Sequence, residues 1–385
     1  MLLRSFPNLI CPNPFYGTLD YHMTQKMSAT MKKAIMLLVA VLISGGCLWY
    51  AFLPLFKDRA VWNQFVNAFK IADYRSLPVI WIVLFVFYIL KAWRWRLMLA
   101  PIGDYRAVKD LLPPIMIGFS FNNILPFRMG EVARCFVFSK QQKLPFSVAV
   151  SSVVLERFFD LIGVLFFLGV GLLFIEDVSP EVKQTALVFS AMAVVGVLGG
   201  IAYVLWTKPV LNLFEKIFKS IPFIPHAFTD KVCSILEAGA KGLSAIRNVR
   251  LLIAMLVVTI IKWGLNGFLV WISIWSFGLS VSPAVAMVLL GVIAFGVAVP
   301  GIPGYFGVMQ FCFTLVLSLF IEGDDGRAAI LAASIYFQMT QWVPVTLIGL
   351  IYFCVTGLKL SDISEKSEER EANDGPIADL PAAPL

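Results

Sequence analysis

The sequence predicts an all-α fold, a polytopic transmembrane helical bundle, and three observations predict it. Of 385 residues, 59% are hydrophobic and 14% charged, against about 25% charged in a soluble domain, and mean hydropathy is +0.84. The apolar residues fall in blocks long enough to cross a hydrocarbon core about 30 Å thick, which takes about 20 residues at 1.5 Å each. Lys and Arg sit mostly in short segments flanking those blocks, as cytoplasmic loops do. That placement accounts for the formal charge of +7 without nucleic acid as a partner.

Residues 1–31 are mixed in character, with further methionines at Met23, Met27 and Met31; translation starting at Met27 or Met31 fits the Lys32-Lys33 pair before an apolar run, and this segment carries no structural expectation. Residues 32–359 form the expected transmembrane domain. Its first helix, at about 34–56, reads as retained and not as a lipoprotein signal ending at Cys47, because Ser44 stands where a bulky aliphatic belongs. The second block, 78–99, ends in Lys91, Arg94 and Arg96, with Arg106 and Lys109 beyond, a basic flank expected inside. Between the two lies an outer loop, 57–77.

Segment 111–127 is short and holds Pro113, Pro114 and Pro126. It fits a re-entrant or broken helix, since freed backbone groups survive at depth only inside protein or against a watered cavity. Blocks 146–174 and 184–206 flank the acidic loop Glu176, Asp177, Glu181. The basic stretch 208–250 carries Leu211, Phe214, Ile217 and Phe218 at helical spacing, which suits a surface-lying amphipathic helix and a solvated loop helix equally. Then come 251–279, a Pro/Gly-broken pair at 282–300 and 304–320, and 328–357. Eight crossings result if the pair spans twice and six if it is re-entrant, with both termini cytoplasmic either way. The tail, 360–385, is acidic and Pro/Ala-rich and is expected to be disordered.

Ionisable groups within apolar blocks are costly and need a partner or water. Glu156, Arg157 and Asp160 fall within about 100° of helical arc, so one polar face looks inward. Arg128, Glu131 and Arg134, spaced by three, make a second stripe if helical. Carboxylate and guanidinium from the two stripes suit pairing, and Arg suits bidentate contact with phosphate; a lining for a site and a purely structural ion-pair network both fit. Asn122 and Asn123 offer amides at a helix break, for a substrate or as simple caps. Lys262 and Asn266, at i and i+4, share a face that fits an anionic head group, while Lys262 fits a carboxylate such as Glu156 or Asp160 as well. Gly196 and Gly200 form a G-x-x-x-G.

Six scattered cysteines and two histidines, His22 and His226, give no C-x-x-C and no His-based metal site. No metal, cofactor or catalytic group is expected. Pro126 and Gly130 share the spacing of Pro303 and Gly307, and each motif precedes a long block, holding Arg157 or Gln338. With the topology above the two segments enter from opposite sides, the pattern of an inverted internal repeat.

Two stretches carry a family resemblance: Asn122-Asn123-Ile124-Leu125-Pro126-Phe127-Arg128-Met129-Gly130-Glu131 with Arg134 and then Leu155-Glu156-Arg157-Phe158-Phe159-Asp160, and Pro300-Gly301-Ile302-Pro303-Gly304-Tyr305-Phe306-Gly307. Together they resemble the bacterial and archaeal flippase-like family that includes the transmembrane region of lysylphosphatidylglycerol synthase, over roughly residues 34–357. The resemblance implies a multi-pass protein of the bacterial inner membrane concerned with lipid translocation or head-group modification. Where that family commonly shows Glu and Arg, this chain has Gln310 and Gln338. If those two form an ion pair elsewhere in the family, the double change keeps hydrogen bonding while removing both charges.

The expected function is therefore a lipid or lipid-linked-substrate translocase, its partner a membrane lipid or lipid-linked head group. No G-x-x-x-x-G-K-[ST] motif for ATP occurs. The alternatives are an intramembrane glycosyl or acyl transferase acting on a lipid, and a non-catalytic partner of a separate lipid-modifying enzyme. With 25 residues after residue 360, the chain is not expected to be a complete lysyl-transferring synthase. Oligomeric state, substrate, direction and energy source stay open.

Overall fold

A computed structural model describes residues 38–39, 41–53, 56, 58–126, 128–175, 249–298 and 303–357, with scattered positions from 184 to 216. The expectations for residues 1–31, for most of 184–206, for the basic stretch before 249 and for the tail lie outside the described residues. All the described regular structure is helical. Helix α1 runs Val41–Leu53, α2 Arg59–Ile71, α3 Ser76–Leu99, α4 Leu112–Ile124, α5 Met129–Gln142 and α6 Phe146–Leu173; then α7 Val249–Trp275, α8 Pro283–Ala298, α9 Val308–Leu317 and α10 Asp324–Thr356.

Helices α3, α7 and α10 have the length and hydropathy to cross a membrane. Helix α6, with 28 residues, is comparably long, and its charged residues are Glu156, Arg157 and Asp160. The outward faces are oily: α3 exposes Ile82 and Phe85, and α10 exposes Leu347, Ile351 and Val355. Inward, α3 buries Ile80, Leu84, Tyr88, Lys91, Ala92, Trp95 and Leu99. This period of three to four residues aims one stripe at the core, and the stripe includes a lysine.

Part of the expected outer loop 57–77 is instead the amphipathic helix α2. Asp58 accepts a hydrogen bond from the Ala60 N–H at 2.8 Å, capping its start. Val61 and Ala68 are buried, and the helix packs on α10.

Segment 111–127 and the helix after it form a helical hairpin. Helix α4, with Pro113 and Pro114 in its first turn, is 13 residues long and α5 is 14. Each rises about 20 Å, short of the roughly 30 Å of a crossing. The chain turns at Leu125–Arg128, where Arg128 adopts a left-handed φ of 54°. The arms touch at Gly118 and Gly130: a Cβ on Gly130 would fall 1.8 Å from the Gly118 carbonyl oxygen, so only glycine permits this approach.

The 282–320 pair is a second hairpin. Helix α8 has 16 residues and α9 has 10, about 24 and 15 Å. A Cβ on Gly296 would lie 2.8 Å from Cys312 Sγ across the arms. Its tip, Pro303–Gly307, has left-handed Gly304, Tyr305 and Gly307, with φ of 70°, 61° and 89°.

The hairpins attach at opposite ends of the bundle. The end of α7 meets the start of α3, where Ser276 Oγ donates to Ser76 Oγ at 2.7 Å. The α8–α9 hairpin comes directly after that end of α7, whereas α4–α5 hangs between the far ends of α3 and α6. The tips converge on α10. Trp342 donates its indole N–H to the Asn123 carbonyl at 3.4 Å, and its ring faces Gly304.

Candidate functional site

Four helices deliver charged side chains to one buried cluster. Helix α3 supplies Lys91 and Arg94, α5 supplies Glu131 and Arg134, α6 supplies Glu156, Arg157 and Asp160, and α7 supplies Lys262. Lys262 lies mid-helix, about 20 Å from either end of α7. Lys91, Arg94, Arg134, Glu156, Asp160 and Lys262 are all buried.

Glu156 is the inner hub. Lys91 Nζ donates to its Oε1, and Arg94 Nη2 stands 3.8 Å from the same oxygen. Arg134 Nη2 lies 2.8 Å from Oε2, yet this is an ion pair of proximity, its N–H groups not aimed at the oxygen. The reason is that the Arg134 guanidinium stacks on Trp95, 3.9 Å from the ring centroid, an arrangement Arg makes well. Asp160 is the second hub. It accepts from Arg94 Nη2 at 2.7 Å, Lys262 Nζ at 2.5 Å and Trp263 Nε1 at 3.3 Å. Thr259 accepts from Arg94 Nη1 at 3.0 Å. Gly163 admits the Trp263 indole to α6, since a Cβ there would sit 2.3 Å from the ring.

Arg157 differs from the buried members of the cluster in its exposure. Its side chain is 40% exposed, with Glu131 at 3.6 Å and Glu156 at 3.8 Å, and Asp160 also at 3.8 Å. Among the described residues it makes no hydrogen bond, and its Nε–H has no acceptor. Glu131 stands between Arg157 and Arg128, whose Nη1 is 3.9 Å away. Arg128, Glu131 and Arg157 therefore form a half-exposed rim beside the turn of the first hairpin.

The other predicted residues separate from this cluster. Asn122 accepts from the Gly130 N–H at 2.9 Å, fastening the arms of the hairpin, and Asn123 donates to Thr346 Oγ1 at 2.9 Å. Gln310 and Gln338 form a closed amide chain: the Gly307 N–H donates to Gln310 Oε1 at 2.7 Å, Gln310 Nε2 donates to Gln338 Oε1 at 2.6 Å, and Gln338 Nε2 donates to the Gly304 carbonyl at 2.6 Å. This chain holds the second tip to α10. Asn266 is half-buried on α7 with no side-chain hydrogen bond among the described residues. Lys262 meets Asp160.

Lys91 and Arg94 were expected at the cytoplasmic flank of their block, and this expectation is corrected: both are core members of the cluster, and Arg96 alone of the three is exposed, pairing with Asp104 at 2.9 Å. Their spacing of three on an apolar helix was the available signal. Among the described residues no group of three or more His, Cys, Asp and Glu could hold a metal ion, and the four described cysteines, Cys47, Cys135, Cys312 and Cys354, are free thiols.

Residues 37–349 match the family described as the lysylphosphatidylglycerol synthase TM region. The chain belongs to this family. It is a multi-pass membrane protein, and its charged cluster lies within the shared region. It is 22% identical over 348 residues to the protein named glycosyltransferase AglD of Haloferax volcanii, a match covering 82% of this chain and 54% of that protein. This chain thus spans about half the length of that relative. A UPF0104 membrane protein of Methanothermobacter thermautotrophicus is 22% identical over 278 residues, 68% of this chain and 78% of the relative. Another, of Methanocaldococcus jannaschii, is 23% identical over 241 residues, 61% of this chain and 93% of the relative. No solved structure matches.

Proposed function

We propose that this protein is a translocase for a lipid or lipid-linked substrate, and that the polar head group is taken at the rim Arg128–Glu131–Arg157 and sheltered by the charged cluster. The observation that carries the proposal is Arg157. A guanidinium has five N–H donors, and leaving them unmet at depth is costly unless, as for Arg134 on Trp95, a ring face covers them. Arg157 is within reach of three carboxylates, bonds to none, and keeps 40% of its side chain exposed. It is held in place by charge and free to donate.

The two hairpins support the mechanism. Each stops short of a full crossing, they attach at opposite ends, and their tips meet at Trp342. That arrangement fits an inverted repeat with a site between broken helices, which many transporters use. With the hairpins re-entrant, six crossings and two cytoplasmic termini result. We place the protein in the inner membrane on the family's implication.

The test is transport. Purified protein is reconstituted into vesicles with head-group-labelled lipids across a broad panel, and movement between leaflets is followed by quenching from outside. Transport above empty vesicles for at least one lipid class is expected, with Arg157→Ala lowering it by about tenfold or more, the loss of one charge-assisted contact. No movement across the panel defeats the proposal. A second reading, an intramembrane glycosyl or acyl transferase, draws on the name of the Haloferax relative; product formation by this chain with a lipid-linked sugar donor would favour it. Co-purification with a lipid-modifying enzyme, without transport, would favour a third, a non-catalytic partner.

A further inference from the structure

We infer that the group bound at the Arg128–Arg157 rim is a doubly charged phosphate, a phosphomonoester or pyrophosphate, and not the phosphodiester of a zwitterionic or aminoacylated lipid. The inference rests on the reading of the rim as the head-group site and names its substrate class.

The first argument is charge. Arg94, Arg128, Arg134 and Arg157 face Glu131, Glu156 and Asp160, so the arginines, which stay protonated in proteins, outnumber the carboxylates by themselves. Lys91 and Lys262 are donors to two of those same carboxylates, and the formal excess runs from one positive charge with both neutral to three with both protonated. An excess of that size in an apolar bundle attracts an anion strongly, because charge interacts over longer range where water is scarce. A zwitterionic head group brings no net charge and a lysylated one adds a positive charge. A single phosphodiester brings one negative charge. A phosphomonoester carries about −1.5 to −2 near neutrality, and a pyrophosphate has comparable or greater charge.

The second argument is donors. The Nε–H groups of Arg94, Arg128, Arg134 and Arg157 are all buried without an acceptor among the described residues. At the rim Arg128 and Arg157 flank Glu131 at 3.9 and 3.6 Å without a hydrogen bond to it, so their donors are open to a ligand's oxygens. Terminal phosphate oxygens are the acceptors that an Arg fork fits best. Arg128 and Arg157 would make the contact, and the buried cations behind them would supply the field.

The test is equilibrium binding to the purified protein in nanodiscs by competition. The probes are a long-chain alkyl phosphomonoester, phosphatidylglycerol, phosphatidylethanolamine, a lysylated phosphatidylglycerol and inorganic phosphate. The monoester is expected to bind at least about tenfold more tightly than the diester, with the zwitterionic and lysylated lipids weaker still. Arg157→Ala and Arg128→Ala are each expected to lower monoester affinity about tenfold, and Arg157→Lys to recover part of it, which a folding defect would not do. Equal or tighter binding of the lysylated or zwitterionic lipid overturns the inference, as does monoester binding that ignores both arginine changes. Inorganic phosphate binding as tightly as the alkyl monoester keeps the doubly charged anion site but assigns it to a free phosphate. Monoester binding without transport defeats the translocase reading alone; transport confined to diester or zwitterionic lipids defeats this inference alone.

Discussion

Glu156 is where the buried cations converge, and its single charge restrains three of them. Lys91, Arg94 and Arg134 all place a nitrogen within 4 Å of its carboxylate. Replacing it by Gln preserves shape and removes the charge, leaving Asp160 as the one buried carboxylate of the cluster against four buried cations. Removing one partner of a buried pair costs about 3–5 kcal/mol, so Glu156→Gln is expected to lower thermal stability in detergent substantially and to reduce the folded yield. Arg157→Ala, which breaks no hydrogen bond, is expected to change stability by under about 1 kcal/mol. Equal stability of the two variants by thermal unfolding would show that the buried hub and the rim are not distinct. This division between hub and rim was half legible in the sequence: the stripes 128–131–134 and 156–157–160 identified the residues, but one-dimensional spacing cannot tell a pinned arginine from a free one. Lys91 and Arg94 were obscured because basic residues near the end of an apolar block ordinarily mark the cytoplasmic face.

Among the elements, the hairpins were foreshadowed by their prolines and glycines, because Pro removes a backbone donor and Gly admits left-handed turns. Which glycine is required depended on contacts between arms that no local pattern encodes. Gly130 meets the Gly118 carbonyl and the Asn122 amide across the first hairpin. A methyl at this place has no room, since the obstacles are backbone atoms, and the arms must separate. Gly130→Ala is expected to cost about 2–3 kcal/mol, in the range of overpacking, and to shift the rim, because Arg128 and Glu131 flank it. The measurement is unfolding of the variant together with its monoester affinity; a stable variant with normal affinity would show that the arms are not locked. Gln310 and Gln338 illustrate the opposite case, where the sequence showed two uncharged residues at commonly charged positions and the structure joins them directly. The loop between the first two blocks hid α2 because amphipathic periodicity over 13 residues is modest beside the long apolar runs around it.

For the whole molecule, the proposed opposite entry of the hairpins would tie the proposed site to both faces of the bilayer. The last turn of α5 and its connection to α6 carry Lys140 and Lys143, whereas the turn before α10 and its first residues carry Glu322, Asp324 and Asp325. Positive residues are retained on the cytoplasmic side, so the first hairpin should open inward and the second outward, with both tips between. Single cysteines at Lys143 and at Asp325, in a background with the native cysteines replaced, separate the alternatives. A membrane-impermeant maleimide added to inside-out vesicles is expected to label the first and spare the second, and to do the reverse on intact, outer-membrane-permeabilised cells. Labelling of both positions from the same side would place the hairpins on one face. The two tips could not then approach a shared site from opposite directions, and the proposed alternating exposure of the Arg157 rim would lose the geometry it requires.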